Sequence, residues 1–139
     1  MLGACFGAQA LTTALGGSVQ ASPRPEVDTD DPSLVGPGPW FQWCYDLCVL
    51  PPGARGVARN AVCAQAFRAG RSLGVQFHPE MTTAMVRGWI ETGGAQQCVR
   101  HGVDPAELLT VSRAMEPAAR VNARRLVDGF LDQAAGSVD

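Results

Sequence analysis

Residues 3–7 read Gly3-Ala4-Cys5-Phe6-Gly7 and form the most informative motif of the chain. The pattern Gly-x-Cys-x-Gly is that of a nucleophile elbow with Cys in place of Ser. In an elbow the nucleophile occupies a strained turn between a strand and a helix, where side chains two residues to either side would collide. The helix N-terminus favours the thiolate of Cys5, and the N–H of Phe6 would serve as an oxyanion donor. Taken alone, the short pattern is also typical of a buried Cys in a Gly-rich turn.

The residues around this motif predict a strand, a helix and a second strand. Met1–Gly3 is predicted to be the end of a strand, and residues 5–15 a helix that Gly16 and Gly17 stop. Ser18–Ala21 is predicted to be a short strand. Residues 22–39 contain five of the ten prolines and four acidic residues, which predicts a mobile loop.

Strand-like segments dominate the middle of the chain. They are rich in aromatic and β-branched residues and are separated by turn residues. Four strands are predicted, at Trp40–Leu50, Val57–Arg59, Ala64–Arg68 and Leu73–Phe77.

Helical patterns dominate the remainder. Residues 81–92 are predicted to form a helix that Gly93 and Gly94 end. A second helical region begins at Asp104, which can cap it, and Pro117 is predicted to break or restart it. Beyond Pro117 an apolar stripe at helical spacing predicts a face packed against the core, with members Ala119, Leu126, Phe130 and Ala134.

The second chemical motif is Gly74-Val75-Gln76-Phe77-His78-Pro79-Glu80. The strand ends at His78 because Pro79 cannot continue it, so the imidazole is placed at the carboxyl end of the sheet, where α/β sites form. Glu80 can orient the ring and stabilise its charged form. With Cys5, the motif offers a nucleophile, a base and an orienting carboxylate.

Composition narrows the classes of function. The chain has 139 residues, which suits one domain, and 46% of them are apolar, which excludes disorder throughout. A net charge of −2 argues against binding a nucleic-acid backbone, and no apolar run is long enough to span a membrane. Five cysteines at irregular spacing favour a reduced, cytoplasmic setting over a disulfide framework. Cys44 and Cys48 make only a weak zinc pattern, so no metal is expected.

Together, Cys5-Phe6-Gly7-Ala8-Gln9 and the segment from Gly74 to Glu80 resemble the class I (triad) glutamine amidotransferases. The pairing Gly-x-Cys-x-Gly-x-Gln with Gly-Val-Gln-Phe-His-Pro-Glu is highly specific, and it resembles most the stand-alone, GMP-synthase-like members. The resemblance covers roughly residues 1–92. Residues 1–92 are therefore expected to be a partial amidotransferase domain, and residues 93–139 a C-terminal helical extension.

The resemblance implies an α/β fold: the C-terminal portion of an open, mostly parallel sheet with flanking helices. Extra short antiparallel strands are expected between Trp40 and Phe67. The resemblance also implies the chemical roles of three residues. Cys5 would attack the side-chain amide of L-glutamine, and His78 would protonate the leaving ammonia and then activate water. Glu80 would hold His78. Neither a metal nor an organic cofactor is implied.

The resemblance also implies a substrate pocket and a partner. Gln9 and the Phe6 N–H would contact the glutamine, and the backbone around Tyr45 and Asp46 would hold its amino-acid end. The released ammonia would pass to a synthetase domain or enzyme, with no nucleic acid and no membrane as partner.

Two departures from the family pattern bear on activity. Many relatives have His where this chain has Cys44, so altered substrate positioning is expected, with the chemistry retained. Relatives also carry several βα units before the elbow, including a Gly-rich loop with a second oxyanion donor. We therefore expect the native product to begin further upstream, with the present chain lacking the N-terminal half.

Two other functions stay open on the sequence. The chain could be an inactive truncated remnant that acts by binding a partner. The same thiol site could instead hydrolyse γ-glutamyl conjugates, as a γ-glutamyl hydrolase or peptidase-like enzyme would, because only the pocket would differ.

Overall fold

A four-stranded sheet flanked by helices forms the centre of the protein, in a computed structural model that describes residues 1–26 and 38–135. In chain order the elements are β1 (Leu2–Ala4), α1 (Phe6–Ala14), β2 (Ser18–Glu26), β3 (Cys44–Val49), β4 (Arg55–Arg59), β5 (Ala64–Ala69), β6 (Ser72–Val75), α2 (Thr83–Trp89), α3 (Ala95–Arg100) and α4 (Pro105–Ala135).

The strand order of this sheet is β1-β6-β5-β4. β1 runs parallel to β6, with Ala4 opposite Val75, whereas β6, β5 and β4 pair antiparallel. β2 and β3 form a separate antiparallel pair. The predicted α/β class with flanking helices is confirmed, and so are the short antiparallel strands between Trp40 and Phe67.

Helices cover both faces of the sheet. Because side chains alternate along a strand, Ala66 and Phe67 of β5 point to opposite faces. Ala66 belongs to a core that includes Phe77 and, from α4, Leu126. Phe67 instead packs with Ala8 and Leu11 of α1. The helices α1 and α4 therefore lie on opposite sides of the sheet.

The loop predicted for residues 22–39 is wrong in its first part, which belongs to the strand β2. β2 continues through Ser22 to Glu26, where Glu26 lies opposite Cys44. Its register shifts between Ala21 and Glu26, across the two prolines of this part. Such an irregularity lets an edge strand accommodate residues that lack an N–H. The rest of the predicted loop, residues 27–37, lies outside the described residues.

The helical part differs from its predicted boundaries at two places. Gly93 and Gly94 mark a kink, with Gly93 at φ 117°, and a π-helical turn over Ile90–Gly94 joins α2 to α3. Pro117 lies inside α4 and does not break it. Pro117 removes the hydrogen bond to the Arg113 carbonyl, but both residues are exposed, so water can replace that bond.

The C-terminal region packs against the rest of the domain. From α4, Leu126 lies in the core with Trp40 and Phe77, while Leu108 packs with Val86 and Cys98. The predicted division at residues 92/93 stays a prediction. Within the described part of the chain, no helix is long and apolar enough to cross a membrane.

Candidate active site

The elbow has the strained backbone that the motif predicts. β1 ends at Ala4, α1 begins at Phe6, and Cys5 between them has φ 46° and ψ −106°. Cys5 is the only non-glycine residue with positive φ in ranges 1–26 and 38–135. A conformation of this kind costs about 1–3 kcal/mol and is typical of functional sites.

Two backbone contacts hold this turn. The N–H of Cys5 donates to the Val75 carbonyl at 2.8 Å, and the N–H of Gln9 donates to the Cys5 carbonyl at 3.0 Å. The Phe6 N–H precedes this first helical bond, among the N–H groups that have no partner inside a helix. Its role as an oxyanion donor stays a prediction.

The two glycines of the motif have different surroundings. A Cβ on Gly3 would lie 2.6 Å from the carbonyl carbon and oxygen of Gly7, so the predicted collision is confirmed there. A Cβ on Gly7 would meet no described atom within 4 Å, so the expectation of a collision on that side is wrong. Of these two glycines, Gly3 is the one that close backbone approach requires.

The strand pairing brings His78 beside Cys5. Ala4 and Val75 are opposite each other on parallel neighbours, so Cys5 and His78 follow at the same edge of the sheet. Phe77 is fully buried and stacks on Trp40 with ring centroids 4.5 Å apart. The N–H of His78 donates to the Phe41 carbonyl at 2.8 Å, which fixes the backbone from which the imidazole projects.

Cys5, His78 and Glu80 form one hydrogen-bonded set. His78 Nδ1 lies 2.7 Å from Glu80 Oε1, and the Cys5 side chain hydrogen-bonds to His78. Burial lowers the pKa of His78, but hydrogen bonds and charge interactions with Cys5 and Glu80 outweigh burial and raise that pKa from 6.5 to about 9. The imidazole is therefore charged at neutral pH, and both ring nitrogens carry a proton.

Glu80 is set to hold that charge. Burial raises the pKa of Glu80, but the hydrogen bond from His78, a backbone hydrogen bond and the charge of His78 bring it below the ordinary 4.5. The carboxylate is thus ionised while His78 is protonated. The arrangement can supply a sulfur nucleophile, a proton donor that becomes a base, and a group that orients it.

The residues predicted to contact the substrate differ in how far they are exposed to solvent. The Phe6 side chain is 78% exposed, so its contribution would come from the backbone N–H. Gln9 lies half-buried in the first turns of α1. Asp46 lies on β3 opposite Ala21, and β3 packs against α1.

The Tyr45 side chain points to the helical part. Its hydroxyl accepts a hydrogen bond from Trp43 Nε1 at 3.0 Å and donates one to Gln97 Oε1 at 2.9 Å. The implied role of the Tyr45 backbone in holding the substrate stays a prediction.

A polar cluster of Thr12, Cys48 and Gln76 lies next to the elbow and was missed by the sequence analysis. The Cys48 thiol donates to Gln76 Oε1 at 3.2 Å. Burial and the nearby Cys5 and Asp46 raise the pKa of Cys48, against a hydrogen bond with Thr12. Cys48 therefore stays a neutral thiol. The position of Gln76 inside the His78 motif was the only signal for this cluster.

The described residues contain no group of three or more His, Cys, Asp or Glu side chains that could hold a metal ion. Cys44, at the position where many relatives have His, is buried on β3 opposite Glu26.

Comparison with known proteins places this geometry in context. No protein-family model matches the chain. Over 99% of its length, the chain is 30% identical to a GMP synthase (glutamine-hydrolysing) from Aeropyrum pernix. It is 35% identical, over 59% of its length, to one subunit of a GMP synthase (glutamine-hydrolysing) from Methanosarcina mazei.

A solved structure is similar over most of the chain. A glutamine amidotransferase from Thermotoga maritima superposes with a TM-score of 0.78 at 26% identity, covering 93% of the chain. The chain spans 61% of that structure, 51% of the Methanosarcina protein and 30% of the Aeropyrum protein.

Proposed function

The chain belongs to the class I glutamine amidotransferase family, and on that premise we propose that it catalyses the glutaminase half-reaction of that family. The observation that carries the proposal is the meeting of three groups at one sheet edge. Cys5 lies in a strained turn, and His78 hydrogen-bonds both to it and to Glu80. Glutamine is hydrolysed to glutamate and ammonia.

In the first step the Cys5 sulfur attacks the side-chain amide carbon of L-glutamine. A C–S bond forms, and the Phe6 N–H stabilises the negative charge that develops on the carbonyl oxygen. His78 is charged at neutral pH and gives its proton to the amide nitrogen as the C–N bond breaks. Ammonia leaves, and a γ-glutamyl thioester remains on Cys5.

In the second step His78 acts as the base. Now neutral, it takes a proton from a water molecule, whose oxygen bonds to the thioester carbon. The C–S bond breaks, glutamate leaves, and Cys5 is restored as a thiolate beside a protonated His78. Glu80 stabilises the charge of His78 before the first step and after the second, and it fixes the ring orientation.

Substrate recognition is assigned to groups around the elbow. Gln9, whose half-buried side chain projects from α1, would contact the glutamine. The backbone of Tyr45 and Asp46 on β3 would hold its amino-acid end. Cys44 in this segment would change how the substrate is positioned without removing the nucleophile.

The partner is proposed to be a synthetase domain or enzyme that accepts the ammonia. The Methanosarcina relative supports this assignment, because its name marks it as one part of a GMP synthase assembly. A cytoplasmic location belongs to the same proposal. Its support is the sequence pattern, because five cysteines at irregular spacing fit a reducing compartment better than a disulfide framework.

The test is glutamate release from L-glutamine by the chain, alone and with candidate synthetase partners. We expect Cys5→Ala to abolish release and Cys48→Ala to retain it, because Cys5 hydrogen-bonds to His78 whereas Cys48 donates to Gln76. A thiol reagent should label Cys5 faster than the other four cysteines near neutral pH.

Two results would contradict the proposal. One is glutamate release that persists in Cys5→Ala. The other is no release under any condition together with equal labelling of Cys5 and the remaining cysteines. That second result would favour the inactive, partner-binding remnant.

A further inference from the structure

An apolar groove of about 310 Å³ lies beside His78, between the segment that precedes β3 and the helix α2. We call it the aromatic groove, and its lining residues are Phe41, Trp43, His78, Met81, Met85 and Trp89. Five of these six side chains are apolar or aromatic. The sixth, His78, is the proton donor of the proposed reaction.

The aromatic wall of the groove is held in place. The Trp43 and Trp89 rings meet edge to face with centroids 4.5 Å apart. The hydrogen bond from Trp43 Nε1 to the Tyr45 hydroxyl, which donates on to Gln97, fixes the Trp43 ring. A ligand would therefore enter a preformed site, which lowers the entropy lost on binding.

The outer edge of the groove is adaptable. Met85 is 46% exposed, and methionine side chains adjust to irregular ligands. The groove thus combines a rigid aromatic wall with a flexible rim, both apolar.

This groove is larger than the leaving group of glutamine needs. Ammonia is about the size of water, whose share of liquid volume is about 30 Å³. Pockets for small organic ligands begin at about 300 Å³ and are mostly apolar. A groove of about 310 Å³ therefore fits an organic group, and an apolar one.

We propose, building on the triad chemistry above, that the aromatic groove binds the leaving amine of the substrate. Besides L-glutamine, whose ammonia goes to the synthetase partner, the site then accepts γ-glutamyl amides of aromatic or other apolar amines and prefers them over amides of small alkylamines. His78 hydrogen-bonds to Cys5 and also lines the groove, so the nitrogen substituent of an amide held between Cys5 and His78 would lie next to the groove.

The reaction balances as an amide hydrolysis. The Cys5 sulfur bonds to the γ-carbonyl carbon, the C–N bond breaks, and His78 gives its proton to the amine nitrogen. Water then adds to the thioester carbon and returns a proton to His78 as the C–S bond breaks. The products are glutamate and the free amine.

The test compares three substrates in one glutamate-release assay: L-glutamine, γ-glutamyl-methylamide and γ-glutamyl-benzylamide. The last two differ only in the group that the groove would hold. We expect kcat/KM to be about tenfold or more higher for the benzylamide than for the methylamide, the size of effect typical of filling an apolar pocket.

A variant pair locates the effect. Met85→Ser places a polar group on the groove rim, and it should reduce the benzylamide-to-methylamide ratio at least about threefold. Val99→Ser is the matched control, because Val99 is an exposed apolar residue of α3 that does not line the groove. It should leave the ratio unchanged.

The outcomes separate this inference from the function on which it rests. If no substrate releases glutamate, the glutaminase proposal fails and the inference fails with it. If glutamine is hydrolysed but the two amides react equally well, only the inference is overturned. A benzylamide preference that Met85→Ser does not change would also overturn it, because the binding site would lie elsewhere.

Discussion

Two regions of the molecule meet at His78, and they are built by different forces. At the sheet edge, backbone hydrogen bonds and a positive φ place Cys5 and His78. On the helical side, from α2 to α4, side-chain packing places the aromatic groove and the core around Leu126. The placement of the reactive groups thus depends on backbone geometry and strand pairing, whereas their surroundings depend on side-chain packing.

The electrostatics of the two regions differ in the same way. The sheet edge concentrates interacting charges, so the pKa of His78 is raised and that of Glu80 is lowered. The groove is apolar apart from His78 itself. One region is suited to moving protons, and the other to excluding water and recognising an organic group.

The largest expected effect tests whether the helical side holds the core together. Leu126→Ala should lower the free energy of unfolding by about 2–5 kcal/mol, because Leu126 is only 7% exposed and its removal leaves a cavity beside Trp40 and Phe77. Leu131→Ala, on the same helix but 55% exposed, should stay within about 0.5 kcal/mol of the parent. Urea unfolding of both variants measures the difference. Equal losses would mean that α4 does not pack as described.

The next effect concerns the elbow. Gly3→Ala should lower the free energy of unfolding by about 1–3 kcal/mol, because its Cβ would press on the backbone of Gly7. Gly7→Ala is the matched control, with open space for its Cβ in α1, and it should raise stability by about 0.5–1 kcal/mol. Thermal unfolding with the two variants in parallel checks this. An unchanged free energy of unfolding in Gly3→Ala would show that the turn can relax and that the close approach of Gly3 and Gly7 is not needed.

The smallest effect sharpens the electrostatic side of the comparison. Glu80→Gln should lower the pKa of His78 from about 9 by about one unit or more, because a hydrogen-bonded charge is lost. NMR titration of the imidazole measures it, with Glu91→Gln as the control for removing an exposed carboxylate elsewhere. An unchanged pKa in Glu80→Gln would mean that Glu80 does not hold the ring in solution.

The same two pKa shifts set a pH window for stability. The pKa of His78 is raised, so its contribution is fully present below pH 6.5 and is lost as the pH rises through about 9. The pKa of Glu80 is lowered, so its contribution is present above pH 4.5 and is lost as the pH falls further. The stability difference between the parent and His78→Gln should therefore be largest between pH 4.5 and 6.5 and should shrink towards pH 9. A stability difference that grows towards pH 9 would contradict the raised pKa of His78.

Much of the site was predictable because its signals are local. Gly3, Cys5 and the segment from Gly74 to Glu80 each lie within a few residues of the chemistry they serve, and the structure brings Cys5, His78 and Glu80 together. The strand and helix order was also predictable from residue patterns. The catalytic roles of Cys5, His78 and Glu80 stay a prediction, and the Cys5→Ala assay tests the role of the nucleophile.

Other features were not predictable because their signals lie far apart or are ambiguous. Pro117 and the Gly93-Gly94 pair are residues that usually end a helix. The helix α4 nevertheless continues through Pro117, because water can reach the carbonyl that Pro117 leaves without a partner. At Gly93 and Gly94 the chain kinks and passes from α2 into α3. The prolines that suggested a loop lie at a register shift of β2. In each case the tertiary surroundings overrode the local preference.

The sequence alone determined the reactive groups and the turn that strains Cys5, because a Cβ at Gly3 would collide with the backbone of Gly7 and because Pro79 cannot continue a strand. Only the tertiary structure decided what surrounds them. The aromatic groove joins residues 41 and 43 to residues 81–89, and the core joins Trp40 to Leu126. Such contacts depend on how whole elements pack in three dimensions, which spacing along the chain does not encode.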